Sequence, residues 1–360
     1  MNSTKPMPET LWWTRIGRSL RLLASIQKNL SQETSFLLYA PQGIPWEEAF
    51  QERLRICASG LDPERSTRMI LPGREEPGRF CLRELCPGPL RKQYWPSQSC
   101  AAFLCSKAEI PMHRYFILVR ELEDEKILDQ WISFVSEYRA EARRRSIPSQ
   151  AVFILSYPHP LGEDFLSHAE RERLKVESYT VRENDSRVFC MEDMEEGQFL
   201  SGYLIELAVL LAGDSPQICH ALLEDPKALI GNPSKRCHDL LPDMKEETVH
   251  RRTWQALVRH FFPLLEQYRQ SFITRHAGVL QRHLPISNGY GGTITSPEDL
   301  ELGHLSHIIR PLQTGFTRED KDDLAVVKAA RNHLAHFDTL SEADIRTLAG
   351  VLEKCAGEDL

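Results

Sequence analysis

Long apolar runs are missing from this 360-residue chain, and no stretch approaches the roughly 18 consecutive apolar residues that a membrane-spanning helix needs. The first residues are polar and include proline, so they lack the basic segment followed by an apolar one that marks a secretory signal. Internal repeats and low-complexity tracts are also lacking. We therefore expect a cytoplasmic protein that makes no membrane contact.

Cysteine is too sparse for a disulfide-rich scaffold. The chain has nine, and without a secretory signal they are expected to be free thiols in a reducing compartment. Cys81, Cys86, Cys100 and Cys105 form two C-x4-C pairs, and paired thiolates at short spacing can hold zinc. Zinc ribbons place two residues between such cysteines, and the neighbours here are apolar. The sequence thus favours small buried thiols over a zinc site.

An excess of basic charge is also absent. The net charge is −7 and uneven: residues 1–160 hold 22 Lys and Arg against 18 Asp and Glu, whereas residues 161–360 hold 22 against 33. Non-specific binding to nucleic acid depends on cations that replace the counterions of phosphate. The carboxy-terminal half is therefore expected to bind nucleic acid poorly, unless a narrow basic groove lies within its acidic surface.

The composition, with 41% apolar and 26% charged residues, is typical of a globular protein of about two domains. In the amino-terminal part, apolar runs at 36–40, 115–119 and 151–155 alternate with segments of helical periodicity. This alternation predicts an α/β domain over residues 1–160, with a parallel sheet covered on both faces. The segment 60–99 is rich in Pro, Gly and Arg and is predicted to be an irregular insertion. The predicted helices of this domain cover 11–30, 46–57 and 123–145.

Beyond Pro160 the strand-like runs nearly vanish and helical periodicity dominates. The pattern predicts a helical connecting region at 161–245 and an all-α domain at 246–360. A glycine-rich loop at 285–292 separates two helices. The predicted helices of this half cover 198–212, 216–223, 248–283, 297–309, 318–337 and 342–355.

The turn at residues 40–46 lies between a predicted strand and a helix, where a phosphate-binding loop would be found. Such a loop needs glycines for close backbone approach and a Lys for the β- and γ-phosphates. This turn has one glycine, Gly43, and no Lys. By element order, residues 11–160 resemble the core of a P-loop ATPase that has lost its nucleotide chemistry, and we expect no ATP hydrolysis. A generic α/β scaffold is the alternative.

The most informative segment is the hexapeptide Arg331-Asn332-His333-Leu334-Ala335-His336. Its helix is predicted to begin at Thr317, a favourable cap that is followed by acidic residues. Ser341, with Asp344 three residues later, predicts a capping box for the last helix. At about 100° per residue, one arc of the hexapeptide's helix should face the core, and it holds Val326, Val327, Ala330, Leu334 and Phe337.

The polar residues of the hexapeptide lie away from that arc. Asn332 and His336 are four residues apart, so they stack on one side, roughly opposite the core. Arg331 lies at the edge, with a side chain long enough to reach round. A satisfied core histidine therefore fits His336 poorly, and a merely solvated polar face is the remaining alternative.

The hexapeptide, its helix and the carboxy-terminal helix pair resemble the HEPN superfamily of all-α domains. The signature of that family is Arg, four to six residues, then His, often with Asn after the Arg and a small residue before the His. Arg331, Asn332, Ala335 and His336 fit this form. The resemblance extends over about residues 195–360. Only roughly the last 60 residues of this range carry motifs that are specific to the family. It implies a helical bundle for residues 246–360.

The resemblance implies metal-independent cleavage of RNA, in which the 2′-hydroxyl attacks the adjacent phosphate. His336 would transfer protons, Arg331 would stabilise the charge that develops on phosphorus, and Asn332 would orient His336 or the phosphate. The active groove of the family usually forms where two copies of this helix meet, which implies a homodimer. No cofactor or metal is implied.

The expected function is therefore that of an endoribonuclease, either a toxin or an antiviral defence effector, whose α/β domain senses or docks a protein partner. The alternative is a catalytically silent HEPN subunit that dimerises or scaffolds a larger defence or regulatory complex. Intact Arg331, Asn332 and His336 favour the nuclease, and the acidic charge of residues 161–360 favours the scaffold. The basic run 139–145 is a second candidate for RNA contact, although a solvated helix end is the commoner explanation.

Two further histidines, His304 and His307, are three residues apart on the preceding helix, and Glu301 lies one turn earlier. Histidines at this spacing can share a metal ion. The sequence offers no evident third ligand, so we expect a supporting or solvated role for both.

Overall fold

The structure is a computed structural model that describes residues 6–172, 174–194, 200–287, 289, 291–312 and 314–358. They form two compact units, which divide between Asp185 and Ser186. The first unit is built on a parallel sheet, and the second is mainly helical. None of the helices in these ranges combines the length and the apolar character that crossing a membrane requires.

The first unit alternates strands and helices, as the apolar runs predict. Its described strands are β1 (Phe36–Tyr39), β2 (Ser66–Ile70), β3 (Tyr115–Val119), β4 (Val152–Tyr157) and β5 (Lys175–Ser178). Its described helices are α1 (Pro8–Arg15), α2 (Gly17–Ser31), α3 (Glu47–Leu61), α4 (Pro77–Leu85), α5 (Gly88–Arg91), α6 (Cys100–Leu104), α7 (Glu125–Arg144) and α8 (Glu163–Arg171), and α9 (Glu183–Asp193) includes the division. The strands pair in parallel in the order β2-β3-β4-β1-β5, so β1 is an interior strand.

Both faces of the interior strands are buried. Phe36, Leu37 and Leu38 of β1 are completely inaccessible, although successive side chains of a strand point to opposite faces. Leu37 belongs to a cluster with Trp131 of α7 and Phe153 of β4, which forms the core on one face. The predicted parallel sheet with two covered faces is confirmed.

Two local predictions for this unit are wrong, and one strand was missed. Residues 60–99 include β2, α4 and α5 rather than an irregular insertion. The predicted helix 11–30 is two helices, because Ile16 adopts an extended conformation between α1 and α2. Strand β5 was not predicted. Edge strands β2 and β5 are half polar, so they lack the apolar run that marks an interior strand.

The second unit is helical, as the sequence predicts. Its described helices are α10 (Ser201–Ala212), α11 (Pro216–Leu223), α12 (Pro226–Gly231), α13 (Pro233–Leu240), α14 (Glu246–Leu280), α15 (Leu302–Ile309), α16 (Arg318–Ala335) and α17 (Glu342–Glu358). Helix α14 has 35 residues, and α10, α13, α16 and α17 all pack against it. Strands β6 (Ile286–Ser287) and β7 (Thr293–Ile294) form a short antiparallel ribbon around the predicted glycine-rich loop. In that loop, Asn288 and Tyr290 lie outside the described residues.

Candidate functional site

Helix α16 begins where the sequence predicts. The hydroxyl of Thr317 accepts a hydrogen bond from the backbone N–H of Asp320 at 3.0 Å, and the carboxylate of Asp320 accepts one from the N–H of Thr317 at 2.8 Å. His276 of α14 approaches the same carboxylate at 3.3 Å. Burial acts to raise the pKa of Asp320, but the bonds from Thr317 and the nearby His276 outweigh it and lower that pKa. The helix start is thereby tied to α14.

The core-facing arc of α16 is confirmed except at its end. Leu324, Val327, Ala330 and Leu334 are buried, and Val326 is half-buried. Phe337 was expected on this arc, but 68% of its surface is exposed. The reason is that the helix has already ended: Phe337 has a φ of +64°, in the left-handed region that bulky residues rarely adopt.

Trp254 of α14 contacts the carboxy-terminal end of α16 in two ways. Its indole N–H donates to the carbonyl oxygen of Leu334 at 2.8 Å, which satisfies a carbonyl that has no partner further along the helix. Its ring stacks on Phe337, with centroids 4.4 Å apart. An exposed aromatic ring is therefore held immediately after His336.

The three predicted site residues are all exposed, but they do not share one surface. His336 caps α16, and its backbone N–H donates to the carbonyl of Asn332 at 3.1 Å. The four-residue spacing keeps Asn332 and His336 on one side of the helix. Arg331 points elsewhere, with its guanidinium 3.9 Å from the carboxylate of Glu301. The adjacent residues Arg331 and Asn332 thus line different depressions.

The first depression, which we term the basic groove, lies between α15 and α16 and has a volume of about 450 Å³. Its described lining holds three cations and no carboxylate: Ser306, Ile309, Arg310, Lys321, Leu324, Ala325, Lys328, Ala329 and Asn332. The ammonium of Lys328 donates to the hydroxyl of Ser306 at 3.2 Å, and that of Lys321 donates to the carbonyl of Leu312 at 2.5 Å. Asn332 therefore lies beside a group of cations, within a half of the chain, residues 161–360, whose net charge is acidic.

The second depression, which we term the acidic cleft, has a volume of about 420 Å³. It is lined by Phe262, Leu265, Glu266, Arg269, Glu298, Asp299, Glu301, Leu302 and Arg331. Arg269 donates to the carbonyls of Glu298 and Leu300 at 2.9 and 2.8 Å, and it pairs with Glu266 at 2.5 Å. The hydrogen bond from Arg269 lowers the pKa of Glu266. Arg331 therefore lies among carboxylates in this structure.

The cations of the basic groove were not predicted as site residues. Lys321 and Lys328 are seven residues apart, two helical turns, and Asn332 follows four residues later, so a helical wheel could have grouped them. Arg310 comes from another element and could not have been assigned in this way. His304, by contrast, accepts a hydrogen bond from the backbone N–H of Glu301 at 3.2 Å and completes the capping box of α15.

Cys81, Cys86 and Cys105 are buried in the apolar core of the first unit, and Cys100 packs against that core. Cys100 donates to the hydroxyl of Tyr94 at 3.4 Å, and Cys105 contacts the carbonyl of Tyr138 at 3.7 Å. Burial raises the pKa of Cys81 and Cys105, which keeps both thiols neutral at physiological pH. Within the ranges that the structure describes, no group of three or more His, Cys, Asp or Glu side chains could hold a metal ion.

The turn at residues 40–46 is closed by side chains of its own unit. The amide oxygen of Gln42 accepts from the N–H of Val181 at 2.9 Å, and Trp13 donates to the carbonyl of Pro45 at 3.0 Å. Trp46 has a φ of +46° and packs against Trp12. The turn is thus held in place by aromatic and amide contacts.

A comparison of the chain with models of known protein families gives no match, and a search of curated proteins also finds none.

Proposed function

We propose that the protein is a metal-independent endoribonuclease of the HEPN type that acts as a homodimer. The observation that carries this proposal is the basic groove, which ends at Asn332, four residues before His336 on the same side of the helix. Its three cations can bind consecutive phosphates of an RNA strand, which the net acidic charge of residues 161–360 would otherwise repel. The exposed Phe337 provides a ring on which an unpaired base can stack.

The reaction uses side chains alone. The 2′-oxygen of the RNA bonds to the adjacent phosphorus as its proton leaves, and the bond to the 5′-oxygen breaks as that oxygen gains a proton. The products are a 2′,3′-cyclic phosphate and a 5′-hydroxyl. In this proposal His336 takes up the proton of the 2′-hydroxyl and gives a proton to the departing 5′-oxygen, and Asn332 orients His336 or the phosphate.

Arg331 stabilises the charge on the phosphate in this scheme, and it must leave Glu301 to do so. That exchange is feasible, because both side chains are exposed, by 45% and 70%, and an exposed ion pair contributes at most about 1 kcal/mol. A phosphate offers the guanidinium two parallel hydrogen bonds. In a homodimer, the second copy supplies a second set of the same residues.

The first unit is proposed to be a degenerate P-loop-like domain that senses or docks a protein partner. Strand β1 lies between β4 and β5, and ligands of open α/β sheets bind outside the carboxyl ends of the strands. The turn there contains no Lys and is closed by Gln42 and Trp13. The turn without Lys supports the absence of ATP hydrolysis, and in this proposal the unit serves an antiviral defence effector or a toxin.

A catalytically silent HEPN subunit of a larger complex is the second candidate. The observation that favours it is the contact of Arg331 with Glu301 inside the acidic cleft, away from Asn332. In that case the polar end of α16 serves dimerisation, and RNA cleavage is absent.

The decisive experiment is incubation of the full chain with total RNA in EDTA. We expect wild type to leave 2′,3′-cyclic phosphates, and His336→Ala to lower the rate by a factor of about 10² to 10⁴, as loss of a general acid or base does. His333→Ala is the matched control, because His333 is an exposed histidine of the same helix on another side. It should cleave like wild type.

The two candidates give different outcomes. Cleavage that survives in His336→Ala would refute the assignment of that residue. Absence of cleavage by a wild-type dimer on any RNA tested would refute the nuclease and support the scaffold.

A further inference from the structure

A further cavity lies in the first unit, at the amino ends of β3 and β4. It has a volume of about 530 Å³, within the range of roughly 300 to 1,000 Å³ that is typical of small-molecule sites. Its walls come from three segments: the end of α6 with the chain leading to β3, the carboxy-terminal half of α7, and the turn before β4. It is independent of the proposed nuclease site, which belongs to the other unit.

The floor of this cavity is apolar and neutral. Leu104, Ile110, Met112 and Tyr138 are each at most 3% exposed. The hydroxyl of Tyr138 accepts a hydrogen bond from the N–H of Ala151 at 3.2 Å, which turns its polar atom towards the backbone. Burial raises the pKa of Cys105 to about 12, so its thiol is uncharged. A charged group placed on this floor would lose its hydration without a partner.

The charged side chains of the rim, Lys107 and Arg145, are both cations. Lys107, His113 and Arg145 are exposed at the opening, and no carboxylate is among the described residues that line the cavity. The Nε of Arg145 lies 3.4 Å from the carboxylate of Glu141, a residue that does not line the cavity. The electrostatic complement of such a rim is an anion.

The walls are held in place by hydrogen bonds. Ser146, two residues after the end of α7, has a φ of +50°, and the N–H of Ile147 donates to the carbonyl of Ala142 at 3.0 Å. The hydroxyl of Ser149 donates to the carboxylate of Glu33 at 2.7 Å. On the other wall, the N–H of Ile110 donates to the carbonyl of Lys107 at 3.2 Å. A cavity with fixed walls binds without a large ordering cost.

We propose that this cavity is a binding site for a small amphipathic organic anion. Its hydrocarbon or aromatic body lies on the floor of Leu104, Ile110, Met112 and Tyr138, and its single anionic head is bound by Lys107, His113 and Arg145. A carboxylate and a phosphate present the same chemistry to this rim. In this proposal such a ligand is the signal that the first unit senses. Its site lies at the amino ends of the strands, whereas the turn at 40–46 lies at their carboxyl ends.

The test is a titration of the full chain with the fluorescent aromatic anion 8-anilinonaphthalene-1-sulfonate, followed by displacement. Decanoate and decyl phosphate should displace this probe, and their relative affinities distinguish the two anionic heads. Decanol, of the same chain length but neutral, should bind about tenfold more weakly, and decyltrimethylammonium should not compete.

Two variants connect this binding to the cavity. Ala108→Trp places a large ring in the lining and should abolish displaceable probe binding. Lys107→Gln with Arg145→Gln should weaken decanoate about tenfold and leave decanol unchanged. The matched control is Lys92→Gln with Arg143→Gln, which removes two exposed cations of the same unit outside the lining. Equal competition by decanol and decanoate, an equal loss in the control pair, or unchanged binding in Ala108→Trp would overturn the proposal.

Discussion

The basic groove and the acidic cleft both border α16 and have similar volumes, yet they carry opposite charge. The groove is lined by Arg310, Lys321 and Lys328, and the cleft by four carboxylates and two arginines. Asn332 belongs to the first and Arg331 to the second. Two residues that are adjacent in a motif can therefore occupy unlike electrostatic environments.

The helix itself accounts for this division. Successive residues are rotated by about 100°, so Asn332 shares its side with Lys328 and His336 and not with Arg331. Helix α15 runs along α16 and supplies Arg310 at one end and Glu301 before the other. A polyanion is attracted to the groove and repelled by the cleft, and Arg331 is the residue that must change surroundings for the proposed reaction.

Among the variants that compare the groove with the cleft, the largest expected effect comes from removing the charge of the groove. Lys321→Gln with Lys328→Gln should weaken single-stranded RNA binding about tenfold at low salt and make the log–log salt dependence shallower by about one for each lysine. Fluorescence anisotropy at several salt concentrations measures both. Arg346→Gln with Lys354→Gln on α17 changes the net charge equally outside the groove and should bind like wild type. An equal loss in both pairs would show that the groove has no special role.

The next prediction concerns the end of α16, which borders both the basic groove and the acidic cleft. It tests whether α14 holds this end in place. Trp254→Phe removes the donor to the carbonyl of Leu334 and should lower the free energy of unfolding by about 1 kcal/mol. Urea unfolding measures this change. Trp95→Phe is the control, because Trp95 is 73% exposed, and it should change the stability little. If Trp254→Phe unfolds with the same free energy as wild type, the hydrogen bond to Leu334 contributes nothing to stability.

A smaller effect, on the rate of RNA cleavage, is expected from the contact between Arg331 and Glu301. Glu301→Gln releases Arg331 from its carboxylate and should raise the rate of RNA cleavage by about threefold, as expected from an exposed ion pair. Glu319→Gln removes an exposed carboxylate of the first turn of α16 and should leave the rate unchanged. A decrease in Glu301→Gln would instead mean that Glu301 positions Arg331 for the reaction.

The smallest effect concerns acid stability within the cleft. Because Arg269 lowers the pKa of Glu266, the ion pair stabilises the folded state above the unfolded pKa of about 4.3, and this contribution is lost as pH falls through the lower folded pKa. Thermal unfolding should show Glu266→Gln less stable than wild type by a few tenths of a kcal/mol at neutral pH. The two should converge near about pH 3. A gap that persists there would assign the effect to packing rather than to charge.

Much of the fold followed from local patterns. Interior strands β1, β3 and β4 are continuous apolar runs, and Thr317 with Asp320 and Ser341 with Asp344 mark helix starts that the structure confirms. The half-polar edge strands β2 and β5 escaped prediction, because an exposed strand needs no apolar run. Phe337 was placed in the core by periodicity, which fails once the backbone leaves the helix.

By itself, the sequence determined the interior of the sheet, the caps of α16 and α17 and the exposure of Asn332 and His336, because each of these depends on residues within a few positions of one another. Only the tertiary structure decided that Arg331 faces Glu301 and that Arg310 joins Lys321 and Lys328. Those contacts join separate elements, and their electrostatic environment depends on how α14, α15 and α16 pack, which helical periodicity cannot specify.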